Sequence, residues 1–104
     1  MNDSSRQHRV IEAPTHLGVD NRTAFFKDAS DLIGQIPEGT GTLIIDLGQT
    51  RFVDAAGLST LALVQKKAAE GQRVVSLKNP NEEVRFSIVF AGLDRLFELD
   101  PETR

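Results

Sequence analysis

The stretch from Thr42 to Gly71, TLIIDLGQTRFVDAAGLSTLALVQKKAAEG, constrains the fold more than any other part of this chain. Its apolar run Leu43-Ile44-Ile45, held between Thr42 and Asp46, has the pattern of a strand buried on both faces of a sheet. Gly48 to Arg51 reads as a polar turn, and Phe52-Val53 as a brief apolar step leading to Asp54. A long helix is predicted from there. Leu58, Leu61, Val64 and Ala68 recur at helical spacing, and Gly71 supplies a stop. Asp54 is suited to cap this helix, because its carboxylate can accept from the otherwise unpaired N–H groups of Ala56 or Gly57. The first turn, Asp-Ala-Ala-Gly-Leu, is built of small residues. Such a turn either leaves the helix tip open to a visitor or permits close packing within the chain.

The flanks supply further strands and helices. Arg9 to Ala13 is a short strand closed by Pro14, which cannot continue a central ladder. Asp20 or Asn21 caps a helix expected from about Arg22 to Ile36, with Phe25, Ala29, Leu32 and Ile36 inward, widened by Phe26 and Ile33. Arg73 to Leu77 is another strand, and Lys78 to Asn81 a turn in which Pro80 suits a bend or a helix start. Glu82 and Glu83 then open a third helix, where negative charge favours the macrodipole. Its inner stripe is Val84, Ile88 and Ala91, with Phe86 or Phe90 at the flanks and Gly92 as the end. Leu93 to Leu96 suggests a helical turn, and Phe97 to Leu99 an edge strand. Alternating strands and helices predict a single α/β domain over residues 9–100, with a mixed β-sheet of about four strands and helices packed on it. Residues 1–8 are expected to form a flexible polar tail, and 101–104 a polar C-terminal end.

Composition narrows the function. A net charge of −3 among 104 residues argues against a nucleic-acid partner, since phosphate contacts need clustered Lys and Arg. The chain has no cysteine, which excludes disulfides and thiolate chemistry and fits a reducing, cytoplasmic setting. No apolar run reaches membrane-spanning length, so direct membrane insertion is not expected. His8 and His16 are the only histidines, one in the tail and one in a loop, and both read as solvated side chains. Ser59 and Thr60 have no base placed by a recognisable motif, and no phosphate-cradling glycine loop is present. Asp46 and Asp54 are better explained as a strand end and a helix cap than as an acid–base pair. No catalytic residue, metal site or cofactor is expected, and the chain does not read as an enzyme.

Four motifs in order carry a resemblance. Val19-Asp20-Asn21-Arg22-Thr23-Ala24, the Asp46…Phe52-Val53-Asp54-Ala55-Ala56-Gly57-Leu58 segment, Asn79-Pro80, and Gly92-Leu93-Asp94-Arg95-Leu96-Phe97 together resemble the STAS domain family. The pattern is most similar to its free-standing anti-sigma factor antagonists, and it covers about residues 19–99. The resemblance implies a STAS-like fold. Relatives place two strands before the first helix, so the short N-terminal arm here implies a shortened strand region and an exposed sheet edge. A homodimer through that edge is left open. The implied role is protein binding in a partner-switching system that regulates transcription. The implied partner is an anti-sigma factor of the GHKL-type serine-kinase class. Its contact surface would be Asp54, Ala55, Ala56, Gly57, Leu58, Ser59 and Thr60, with Asp20 and Asn21 nearby.

In phosphoregulated antagonists a hydroxyl residue follows the aspartate and accepts a phosphoryl group. Here both positions, Ala55 and Ala56, are alanine. The resemblance therefore implies the partner surface without its switch, unless Ser59 or Thr60 has taken over as acceptor. A non-phosphorylated STAS subunit of an ABC-type lipid transport complex, or of a larger signalling complex, is the alternative reading.

Overall fold

The computed structural model describes residues 7–99. Six strands and three helices follow in the order β1 (His8–Glu12), β2 (His16–Leu17), α1 (Arg22–Ile33), β3 (Thr42–Asp46), β4 (Phe52–Val53), α2 (Ala55–Glu70), β5 (Val74–Lys78), α3 (Glu82–Phe90) and β6 (Glu98–Leu99). A 3-10 turn, Asp94–Leu96, precedes β6. The main sheet has the order β1-β3-β5-β6, and β2 and β4 pair as a separate two-stranded sheet. Every one of these pairs is parallel. The expected α/β architecture and its four-stranded sheet are present, but the strand directions are uniform where a mixture was expected. The reason is connectivity: a helix separates each main-sheet strand from the next, and such a crossover returns the chain in the same direction.

Both N-terminal strands exist, although β2 has only two residues. The first begins at His8 rather than Arg9 and forms one edge of the main sheet. Residues 1–6 of the expected tail, residue 100 of the expected domain and the expected polar end 101–104 lie outside the described residues.

Register explains the core. Arg9 and Ile11 of β1 stand beside Leu43 and Ile45 of β3, which stand beside Val75 and Leu77 of β5. Leu43, Ile45, Val75 and Leu77 are buried on this face, and α1 and α2 pack together against it. The opposite face carries Val10, Ile44 and Val74, of which Val10 and Val74 are exposed and Ile44 half-buried. Among the described residues, the apolar run of β3 is thus fully covered on one side only, not on both.

α1 ends at Ile33, three residues before the expected limit, and a turn closed by Ile36 N–H to Ile33 C=O keeps Ile36 buried. Its inner stripe is Phe25, Ala29 and Ile33, with Leu32 only partly buried. In α3, Val84 and Ile88 are buried as expected. Ala91 is exposed, however, and Phe86 and Phe90 lie 64% and 81% open to solvent, stacked on each other at 5.5 Å. α3 is capped by Asn81, not opened by Pro80: Asn81 Oδ1 accepts from Val84 N–H at 2.7 Å.

Candidate functional site

The N-terminal tip of α2 is assembled by two separate segments, β2 with the loop that follows it and β4 with the start of α2. Asp54 is extended and its Oδ1 accepts from Gly57 N–H at 2.9 Å, which makes it the cap predicted from the sequence. Its Oδ2 accepts from Val19 N–H at 3.3 Å, so the loop between β2 and α1 is fastened to the tip. The tip lies so near this loop that a side chain on Gly18 would collide with the Asp54 carboxylate. Gly57 is equally confined, because a Cβ there would overlap the carbonyl oxygen of Leu17 and press on Val53. Two glycines therefore permit β2 and α2 to approach.

Asn21 occupies the cap position of α1 but its side chain does not cap that helix. Instead its Oδ1 accepts from Gly18 N–H at 2.9 Å, and its Nδ2 donates to the His16 carbonyl at 2.7 Å. The residue folds the loop back on itself and so holds Gly18 and Val19 against Asp54. Asp20 is exposed beside it, on the rim of a shallow cleft of about 210 Å³ that also includes His16 and Val19.

His16 was not legible as a neighbour of this tip. Its Nε2 stands 3.6 Å from Asp54 Oδ2, and its ring meets Phe52 edge-on at 5.0 Å. No sequence spacing signals this, since parallel pairing of β2 with β4 sets His16 opposite Phe52. The carboxyl of Asp54 is held below the usual carboxylate range. The Gly57 N–H bond is the main cause, opposed by partial desolvation and reinforced by Val19 N–H and His16. At neutral pH the tip therefore carries a fixed negative charge on a helix start that welcomes it.

The remaining candidate residues divide by exposure. Ala55, Ser59 and Leu63 repeat every four residues and form one exposed stripe along α2. Ala56 and Leu58 are partly covered, and Leu58 packs against the core. Gly57 and Thr60 are buried, and the Thr60 hydroxyl donates to the Ala56 carbonyl at 2.8 Å. Asp46 lies in a different arrangement, accepting from Gly48 N–H at 2.8 Å and from Asn79 Nδ2 at 3.2 Å. Among the described residues, no group of three or more His, Asp or Glu side chains could hold a metal ion. None of the described helices is long and apolar enough to cross a membrane.

Solved structures share this architecture. The NMR structure of the protein TM1081, from Thermotoga maritima, superposes with a TM-score of 0.75 at 19% identity, over 89% of this chain and 73% of that one. The anti-sigma factor antagonist SpoIIAA, in its unphosphorylated form, gives 0.70 at 23% identity, over 93% and 83%. The murine anion transporter Slc26a9 gives 0.77 at 21% identity, over 92% of this chain but only 16% of the transporter. At these identities the likeness is one of fold. No curated protein sequence matches the chain. A family model described as "Mlab, STAS domain" matches residues 1–99, and the chain belongs to the STAS domain family.

Proposed function

We propose that this domain is a protein-docking module of the anti-sigma factor antagonist type, which engages a serine-kinase-type anti-sigma factor through the tip and exposed stripe of α2. The observation that carries the reading is Ala55: an exposed methyl group, first in the helix, directly after a charged and well-anchored cap. Small side chains there let a partner's surface approach the helix start, and Leu63 extends the stripe with exposed apolar area. The antagonist-like fold supports the same reading. The module acts by binding and performs no catalysis.

Neither Ala55 nor Ala56 has a hydroxyl to receive a phosphoryl group. A phosphate at this tip would add about −1.5 to −2 charge beside Asp54 and inside the contact, favouring release of the partner. In this chain that route is closed, and the complex is governed by the amounts of the two proteins. Thr60, buried and hydrogen-bonded, is poorly placed as a substitute acceptor, whereas Ser59 is exposed. Titration of the purified chain against anti-sigma kinases of the same genome, by calorimetry, tests the reading. It fails if none binds under conditions where a serine-bearing relative does.

A second reading has its own support. The fold also occurs within the Slc26a9 anion transporter chain, of which it spans 16%. On that reading the domain is a non-phosphorylated subunit of an ABC-type lipid transport complex or of a larger signalling complex, and co-purification with permease and ATPase subunits would favour it.

A further inference from the structure

The outer edge of β1 has the hydrogen-bonding polarity of a strand awaiting a partner. Thr42 N–H donates to the Gln7 carbonyl at 2.8 Å, and Ala13 N–H donates to the Asp46 carbonyl at 3.0 Å. Odd-numbered residues of this segment therefore spend their backbone groups on β3. By the alternation of a strand, the N–H and C=O groups of His8, Val10 and Glu12 point away from the sheet. Among the described residues no strand lies on that side, because β1 ends the order β1-β3-β5-β6. Arg9 Nη1 donates to the His8 carbonyl at 3.0 Å, which leaves that oxygen its second lone pair.

We propose that β1 pairs antiparallel with β1 of a second copy, about a two-fold axis through Val10. The side chains select both the occupant and the register. Centred on Val10, all five residues of His8–Glu12 are paired: Val10 faces Val10, His8 faces Glu12, and Arg9 faces Ile11 of the other copy. Each outward N–H and C=O meets its complement, and the acidic end of one strand lies opposite the imidazole end of the other. Moving the axis to Arg9 would set two guanidinium groups against each other, which is unfavourable for directly opposed pairs. Moving it to Ile11 pushes the overlap past Glu12 towards Pro14, which has no N–H to donate. The chosen register also covers Val10, which is 58% exposed on the open face of the sheet. A two-fold axis makes such a contact self-complementary and closed, giving a dimer and not a fibre. The main sheets of the two copies join into one continuous sheet. No residue of the α2 tip takes part, so this assembly and the docking reading stand or fall separately.

The contact is small, and small interfaces are weak. Sedimentation velocity on the full chain, from about 5 to about 500 μM, should show a reversible shift from monomer to dimer, with a dissociation constant on the order of 10–100 μM. Val10→Pro deletes an outward N–H that β3 does not use, and proline is tolerated on a sheet edge. This variant should keep its circular dichroism spectrum and remain monomeric throughout. His8→Glu places like charges opposite each other and should weaken association about tenfold; adding Glu12→Lys should restore it. A chain that stays monomeric over the whole range overturns the proposal. So does a dimer that is indifferent to Val10→Pro or to the charge exchange.

Discussion

The carbonyl oxygen of Leu17 occupies the space that a Cβ on Gly57 would need. The small-residue start of α2 consequently has two separate causes. Gly57 faces inward and is small because β2 lies against it, whereas Ala55 faces outward and nothing in the described chain requires it to be small. Gly57→Ala should therefore destabilise the domain by roughly 1–3 kcal/mol, the usual range for forcing an extra carbon into a packed site. Urea denaturation measures this. Ala55→Gly, at an exposed first-turn position, should cost well under about 1 kcal/mol.

Asp54 joins two duties, cap and charge, and substitutions can part them. Asparagine caps a helix about as well as aspartate, and alanine does not. Asp54→Ala should lower the melting temperature at neutral pH by roughly 5 °C, and Asp54→Asn by clearly less.

The charge contributes separately to the pH dependence. A carboxyl whose folded pKa lies below its unfolded value adds stability above the unfolded value, and that contribution disappears as pH falls through the depressed folded value. Between neutral pH and the acid side of the carboxylate range, the wild-type chain should lose this contribution. Asp54→Asn should show a shallower acid slope, because it has no proton to bind there. Melting curves at a series of pH values check the sign. An unchanged slope would mean that the carboxyl is not held down by Gly57 N–H.

The main elements were readable because each has a local signal: apolar runs for β3 and β5, helical spacing for α2, and the Asp54 cap with its acceptor position. What escaped was set by contacts distant in sequence. His16 approaches Asp54 only because β2 pairs with β4, and 38 residues separate the two side chains by their numbers. Asn21 looked like a cap, yet the loop offered it nearer partners in Gly18 N–H and the His16 carbonyl. The open face at Val10 was equally invisible, since an apolar run does not state how many layers cover it. Periodicity likewise set Phe86 or Phe90 at a flank of the core, although α3 buries only Val84 and Ile88.

The exposed pair on α3 leads to a further expectation. Phe86 and Phe90 touch each other, four residues apart on the helix, and little of either is buried. Phe90→Ser should change the unfolding free energy by no more than about 0.5 kcal/mol, as surface substitutions do. Ile88→Ala, by contrast, should cost about 2–5 kcal/mol. Comparable losses for both would place Phe90 in the core after all, and chemical denaturation of the two variants decides it.

The helix tip itself gives the most direct test of the docking reading. Ala55 is the first residue of α2, and that first turn has no acidic side chain. Ala55→Asp places negative charge where the helix macrodipole favours it, so folding should not suffer and stability should hold or rise slightly. Binding to a cognate anti-sigma factor should nevertheless weaken by about tenfold or more, equivalent to about 1.4 kcal/mol, because a second carboxylate beside Asp54 must be desolvated at the contact. Ala55→Ser should bind like the wild type until an active cognate kinase and ATP are added, and then become phosphorylated and release. Under the same conditions the wild-type chain should acquire no phosphate at the tip, as intact-mass spectrometry can determine. Phosphate on Ser59 of the wild type would show that the switch had moved one turn along the exposed stripe. If Ala55→Asp bound every cognate partner at full strength, the contact would have to lie elsewhere on the domain.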